Sequence, residues 1–387
     1  MGRSWWLVCV LAVTPLLAGC PFSQSTPLPP LTSIAAGVGH SLALDEAGNA
    51  WAWGHDLNGE LGVGGTVFSS VRTTPLPVRM PRGVTFASVA PGSSHSLALD
   101  DAGNAWAWGD NLLGQLGEGR SRITIDVPVR VSMPVGISFT SVSPNSQFSL
   151  ALDQHGNAWG WGGNWRGELG DGSFVDRYTP VPVHMPAGVV FTAISAGAGH
   201  ALALDQAGNA WAWGTNSYGQ LGDASMTARS TTPVPVQMPA GVTFASVRGG
   251  LNGSLALDRD GKVWAWGYDH AVLDPNESPV RNTPVRVDMP DGVSFTHVSG
   301  DSGYVLALDP DSNAWESTVG GEEGSASSDF TLVDLPAGVT ATSISARRHS
   351  LVLDQDGNAW AWRDNMFGQL GDGSRFSRST PARVGAP

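Results

Sequence analysis

The chain has 387 residues with Gly 50, Pro 26 and only 14% charged side chains, a composition that implies many turns and leaves little room for exposed helix. Its formal charge of −13, or −14 once a leader carrying Arg3 is removed, argues against nucleic acid as a partner, since long-lived phosphate contact depends on Lys and Arg. Both cysteines fall within the first 20 residues, so no disulfide framework can staple the rest of the chain.

In chain order, Met1 to Cys20 comes first. A cationic start at Arg3 precedes an apolar run from Trp5 to Ala18 and the ending Leu17-Ala18-Gly19-Cys20. The run is too short for a membrane span, which takes about 20 apolar residues, and fits a secretory leader. Its ending resembles the lipobox of bacterial lipoproteins. That resemblance implies cleavage before Cys20, lipidation of Cys20 and a lipid-anchored protein of the bacterial cell envelope, periplasmic or surface-exposed, with residues 1–19 as the signal peptide. Residues 20–30 are proline-rich and are expected to form an extended tether.

From Leu31 onward one string recurs. Copies begin at Asp45, Asp100, Asp153, Asp205, Asp258, Asp309 and Asp354, separated by 55, 53, 52, 53, 51 and 45 residues. A fixed period of this length marks an array of supersecondary units, not independent domains. In the second copy Phe86–Val89, Ser96–Leu99 and Ala105–Trp108 alternate with period two, and Val127–Val131 follows a long loop, which predicts four strands per unit.

The Asp100-x-x-Gly103-Asn104 link predicts a tight hairpin between the second and third strands. Asp354-Gln-Asp-Gly-Asn358 could be read as a calcium loop, but it lacks the further spaced ligands and bidentate Glu of an EF-hand. Trp106 and Trp108 share one face of their strand and Ala105 and Ala107 the other, so bulky rings are expected to fill the shallow surface of a neighbouring sheet. A unit that cannot bury this face alone must pack on its copies. The expectation is an all-β chain, a seven-bladed β-propeller of four-stranded antiparallel blades over residues 31–387, occurring as a monomer. A linear solenoid is the alternative; it would need polar capping ends.

The string Ala-Gly-x-x-His-Ser-Leu-Ala-Leu-Asp, then Gly-Asn-Ala-Trp-Ala-Trp-Gly, then Gly-Gln-Leu-Gly resembles the regulator of chromosome condensation repeat. The match covers residues 31–387 and departs in two copies. After Trp266-Gly267 the Gly-Gln-Leu-Gly is missing, and after Trp315 the second Trp-Gly gives way to Glu316-Ser-Thr. The resemblance implies a seven-bladed propeller. It also implies two precedents: a nucleotide exchange factor for a small nuclear GTPase, and a secreted bacterial inhibitor of β-lactamases that docks through loops of one face.

Two rims are expected, with the first-to-second and third-to-fourth connections on one of them. The third-to-fourth loops are long and vary among copies, and variable loops on a rigid scaffold are where recognition usually sits. Trp165, Arg166, Leu112, Leu113, Phe174 and Tyr178 are the candidate partner-binding residues, because aromatics and Arg anchor interfaces. Tyr218 and Phe367 share one loop slot and read as structural. His40, His95, His200 and His349 precede the second strand; being spread around a ring, they read as structural and not as metal ligands. Glu60 and Glu168 stand where other copies carry Gln115, Gln220 and Gln369, which favours a loop role over paired acids.

No nucleophile, phosphate-cradling loop or cofactor motif rises above the repeat, so an enzyme, a cofactor and a metal are not expected. The function expected is a lipid-anchored envelope scaffold binding a protein or an envelope polymer through the long-loop rim. The alternatives are nucleotide exchange, from the resemblance, and a glycan-acting envelope enzyme, from the 16 tryptophans.

Overall fold

The structure is a computed structural model that describes residues 28–65, 71–121, 124–225, 227–268, 280–301, 304–318 and 330–385. The leader, Cys20 and most of the tether lie outside the described residues. Seven four-stranded sheets succeed one another along the chain, at residues 31–77, 86–130, 139–182, 191–235, 244–286, 297–332 and 341–383, here blades one to seven. Every blade is antiparallel in simple sequence order, and no helix occurs among the described residues.

The hairpin between second and third strands shows why the string Asp-x-x-Gly-Asn recurs. Asp100 Oδ1 accepts from the N–H groups of Ala102 and Asn104, and Oδ2 accepts from Asn104 Nδ2 at 2.9 Å and Trp106 Nε1 at 3.1 Å. Gly103 supplies the left-handed turn residue at φ 74°. In the Asp354 copy the carboxylate is occupied the same way, by Asp356, Asn358 and Trp360, as the hairpin reading expects. Burial alone would raise the Asp100 pKa, but the Trp106, Asn104 and Ala102 donors outweigh it and hold the carboxyl below its usual value.

Pairing refines the expected faces. Leu97 lies opposite Ala107 and Leu99 opposite Ala105, while Ala98 lies opposite Trp106 and Ser96 opposite Trp108. Large residues of the two central strands therefore project to opposite faces, and each face carries one bulky and one small column. Blade two offers Leu97, Leu99, Ala105 and Ala107 to Trp161 and Ala151 of blade three. This contact recurs at the other joints except that of blades five and six, where Ser317 stands in the tryptophan slot and Phe330 joins the cluster instead.

The first strand of each blade is innermost and packs on the first strands of both neighbours, so these seven strands wall an axial channel. Closure uses the same contact: Leu31, Ile34 and Trp53 of blade one pack with Leu351, Leu353 and Leu370 of blade seven. Among the described residues no strand is exchanged between the ends. The outermost strands carry prolines such as Pro75, Pro128 and Pro180, which cannot donate to a further strand and so blunt the exposed edges.

Candidate functional site

The buried histidines of the ring and the serines they contact belong to one bonding pattern that crosses from blade to blade. Ser96 Oγ donates to the carbonyl of Glu60 at 2.8 Å, and Trp108 Nε1 donates to the same carbonyl at 2.8 Å. Because Ser96 spends its only proton there, His40 Nε2 must be the donor in its 2.9 Å contact with Ser96. Blade one thus supplies His40 and Glu60, and blade two supplies Ser96 and Trp108. The Gly-x-Leu-Gly turn exists for this contact: a Cβ on Gly62, at φ 69°, would stand 2.8 Å from Trp108 Nε1. Its leucines, Leu61, Leu116, Leu169, Leu221 and Leu370, are fully buried.

His95 with Ser149, His200 with Ser254 and His349 with Ser41 repeat the pair. The exceptions are matched as pairs. Phe148 fills the histidine slot of blade three where Ala201 fills the serine slot of blade four, and Gly253 of blade five precedes Val305 of blade six. Tyr304 of blade six instead accepts from Ser350 at 2.8 Å. The sequence of blade six has no Gly-x-Leu-Gly string, and here Glu316 Oε2 is the acceptor, from Tyr304 at 2.8 Å and Trp362 Nε1 at 3.0 Å. Burial in this lattice pushes His40 down to about 4 and His95 and His349 down to about 3, so all three are neutral at pH 7. They are structural, as the sequence indicates.

The long loops begin with a self-contained turn. Asn164 Oδ1 accepts from Leu169 N at 3.0 Å and Glu168 Oε2 from Arg166 N at 2.8 Å; Asn111 with Leu116 and Gln115 with Leu113 do the same. The turn presses two consecutive side chains outward. The first is the tip: Leu57, Leu112, Trp165 and Met366 occupy this slot and are 54–59% exposed. The second bridges to the next blade. Phe367 meets His55 edge-on at 4.7 Å and Tyr218 meets Tyr268 at 5.1 Å, the structural role expected for both.

Among the six candidates, three converge. The Arg166 guanidinium lies 3.9 Å over the Trp165 ring, and Arg229, 4.6 Å over the Phe174 ring, donates to the Trp165 carbonyl at 3.3 Å. Trp165, Arg166 and Phe174 therefore form one exposed patch with Arg229. Leu112, Leu113 and Tyr178 form a second group at the joint of blades two and three. Tyr178 packs on Gly114, and Leu113 packs on Gly163, where a Cβ would come within 2.9 Å. Sequence reasoning missed Leu57, Met366 and Arg229; the tip residues were findable from their slot, while Arg229, from the fourth strand, was not.

Trp165 and Arg166 separate two hollows. One, of about 510 Å³, runs towards Tyr218 and Leu251. The other, of about 210 Å³, is floored by Glu168, Gln147 and Phe148. Burial lifts the Glu168 carboxyl to about 7, against its backbone donors and the Arg166 charge. In blade one the equivalent Glu60 is held below its usual value, burial being outweighed by the His55 imidazole bonded to it. Blade three has Gly163 in place of His55, so Glu168 has no such counter-ion.

Comparison with known proteins agrees with this architecture. Residues 14–271 match the family model described as the RCC1-like domain. Similar proteins include the ultraviolet-B receptor UVR8 of Arabidopsis thaliana, 28% identical over 76% of this chain and 67% of the relative. The mitochondrial RCC1 domain-containing protein RUG3 of the same plant is 32% identical over 66% of this chain, a stretch spanning 58% of that relative. Among solved structures, yeast RCC1 (Prp20), determined bound to Kap60, superposes with a TM-score of 0.75 at 22% identity, covering 92% of this chain and 84% of that one. At that identity the superposition speaks for fold alone.

Proposed function

The chain belongs to the RCC1-like domain family, and from that premise we propose that it is a non-enzymatic binding scaffold whose long-loop face docks a protein or an envelope polymer. The observation that carries this reading is the exposed patch of Trp165, Arg166, Phe174 and Arg229, in which two guanidiniums lie on two aromatic rings. Such pairs offer broad apolar area and charge at low entropic cost, the composition of interface hot spots. Nothing in the ring's own bonding calls for Trp165, whose counterparts in other blades are leucine, methionine and serine. A protein partner also accords with the yeast neighbour, solved in complex with Kap60.

We further propose that Cys20 carries the lipid and that the ring works as a monomer in the bacterial envelope, without nucleic acid, cofactor or metal. The support is the Leu17-Ala18-Gly19-Cys20 ending and the acidic charge. Cells fed a tagged fatty acid should label the wild-type protein and not Cys20→Ala; equal labelling of both, or of neither, contradicts the anchor. For the docking face, Trp165→Ala with Arg166→Ala should weaken partner capture by about tenfold or more, the effect of losing one hot spot. A partner retained by every long-loop variant contradicts it.

A further inference from the structure

The axial channel opens on the loop face into a cavity of about 350 Å³ to which all seven blades contribute, including Ser93 of blade two, Asn145 of blade three and Tyr304 of blade six. Its charged lining is Arg347, Arg348, Arg363 and Asp364, in a chain whose net charge is −13. We infer that this mouth is a binding site for a small organic anion carrying two or more carboxylate or phosphate groups, held by Arg348 and Arg363 at the rim and by Arg248 within the channel. This site is independent of partner docking at Trp165.

Three departures from the repeat converge here. The first concerns the innermost strands. Ser143, Ser195, Ser299 and Ser345 each accept the backbone N–H of the next blade's inner strand, from Ala196, Gly249, Ala346 and Ala36, at 2.9–3.0 Å. Where the next blade offers Pro91 or Pro144, which has no N–H, the slot holds Ala35 or Ala90. Blade five alone breaks the rule: Arg248 faces Gly300, which is not proline. Arg248 is exposed, and its side chain makes no hydrogen bond or ion pair among the described residues.

The second departure is Arg363. It stands where Gly54, Gly109, Gly162, Gly214 and Gly267 adopt φ of 90–106°, and it holds φ 80° despite its side chain. Strain of this kind persists where the surroundings enforce it and clusters at binding sites. Its guanidinium lies 3.5 Å over the Tyr304 ring. The third is the blade-seven connection. Arg347-Arg348 joins its strands in two residues where Gly37-Val38-Gly39 takes three, and Arg347 reaches across the mouth to Asn145 Oδ1 at 3.0 Å.

Guanidinium forks match carboxylate and phosphate geometry. Gathering like charges in a confined channel is unfavourable until an anion sits among them. The volume lies at the low end for small-molecule sites, enough for a compact polyanion.

The test titrates the full chain with citrate and with pyrophosphate by calorimetry at low ionic strength. Two variants restore the repeat: Arg248→Ser, which regains an acceptor for Gly300, and Arg363→Gly, which relieves the left-handed arginine. Both should melt no lower than the wild type yet bind at least about tenfold more weakly, as expected for losing a charge-assisted contact. Whichever of the two probes binds tells carboxylate from phosphate, and Trp165→Ala should leave that binding intact. Should a reversion unfold the ring, exposed Arg348→Ala decides alone by the same tenfold criterion. Neither probe binding, or binding unchanged in the folded variants, overturns the inference.

Discussion

His40 of blade one donates its Nε2 proton to Ser96 of blade two at 2.9 Å, and Ser96 in turn donates to the carbonyl of Glu60 back in blade one. The proton chain leaves one blade and returns to it. Two sheets that meet through leucines and tryptophans alone could slide; this closed path fixes one register between them, because any slip would strand buried donors.

The carbonyl of Glu60 also accepts from Trp108, whose ring is fully buried. Trp108→Ala should cost about 3 to 5 kcal/mol by emptying a large aromatic site. Trp108→Phe keeps most of the volume and loses the donor, for about 1 to 2 kcal/mol. Denaturant midpoints measure both, and a loss under ~1 kcal/mol for the alanine variant contradicts the packing described.

His95 and Ser149 can be exchanged for the pair the chain itself uses one blade on, Phe148 and Ala201. His95→Phe alone leaves Ser149 its bond to the Gln115 carbonyl but removes the donor to its oxygen, and Ser149→Ala alone strands the His95 N–H. The double variant should therefore be less destabilised than the sum of the singles by about 1 kcal/mol or more. Additive losses would show that the two residues are not coupled.

The same histidines set the acid limit. Their folded pKa values, about 4 for His40 and about 3 for His95 and His349, lie below the ordinary value of 6.5, so on acidification the unfolded chain takes up the proton first. The stability they contribute is complete above about pH 6.5, declines as pH falls, and is exhausted near pH 3 to 4. Lowered hairpin carboxyls such as Asp100 add a further loss at the acid end. Removing His95 in the double variant should reduce the slope of stability between pH 4 and 6 by about 1.4 kcal/mol per pH unit. An unchanged slope would mean that His95 is protonated in the folded ring.

Glu168 has the opposite sign. Its folded pKa of about 7 exceeds the ordinary value of 4.5, so the stability it contributes is present below about pH 4.5 and is lost as pH rises through 7. Glu168→Gln, the residue of three other blades, should raise the melting temperature at pH 8 and change it little at pH 5. Equal shifts at both values would show that the carboxyl is not held protonated.

Much of the frame was legible in the chain because each feature answers a local demand: Gly103 for a left-handed turn, Asp100 for turn donors, Trp108 for a neighbour's shallow face. The His–Ser pairing was not. His40 stands beside Ser41 in sequence, yet Ser41 bonds to His349 of blade seven while His40 bonds to Ser96. A partner one blade away is invisible until the blades are packed. The candidate patch was half legible: Trp165 and Phe174 are conspicuous as aromatics, but Arg229 reaches them from a distant strand. The arginines of the channel mouth were invisible as a group, since Arg347 and Arg363 both belong to blade seven and Arg248 of blade five comes near Arg347 only when the ring closes.

Docking through the loop face is tested most directly by affinity capture from the native envelope with three baits: the wild-type propeller, Leu112→Ala/Trp165→Ala/Arg166→Ala on the loop face, and Glu46→Ala/Asp101→Ala on the hairpin turns of the opposite face. A specific partner should be retained by the first and third and lost by the second, with all three melting alike. Retention by the loop-face variant, or loss from the hairpin-face variant alone, would contradict it.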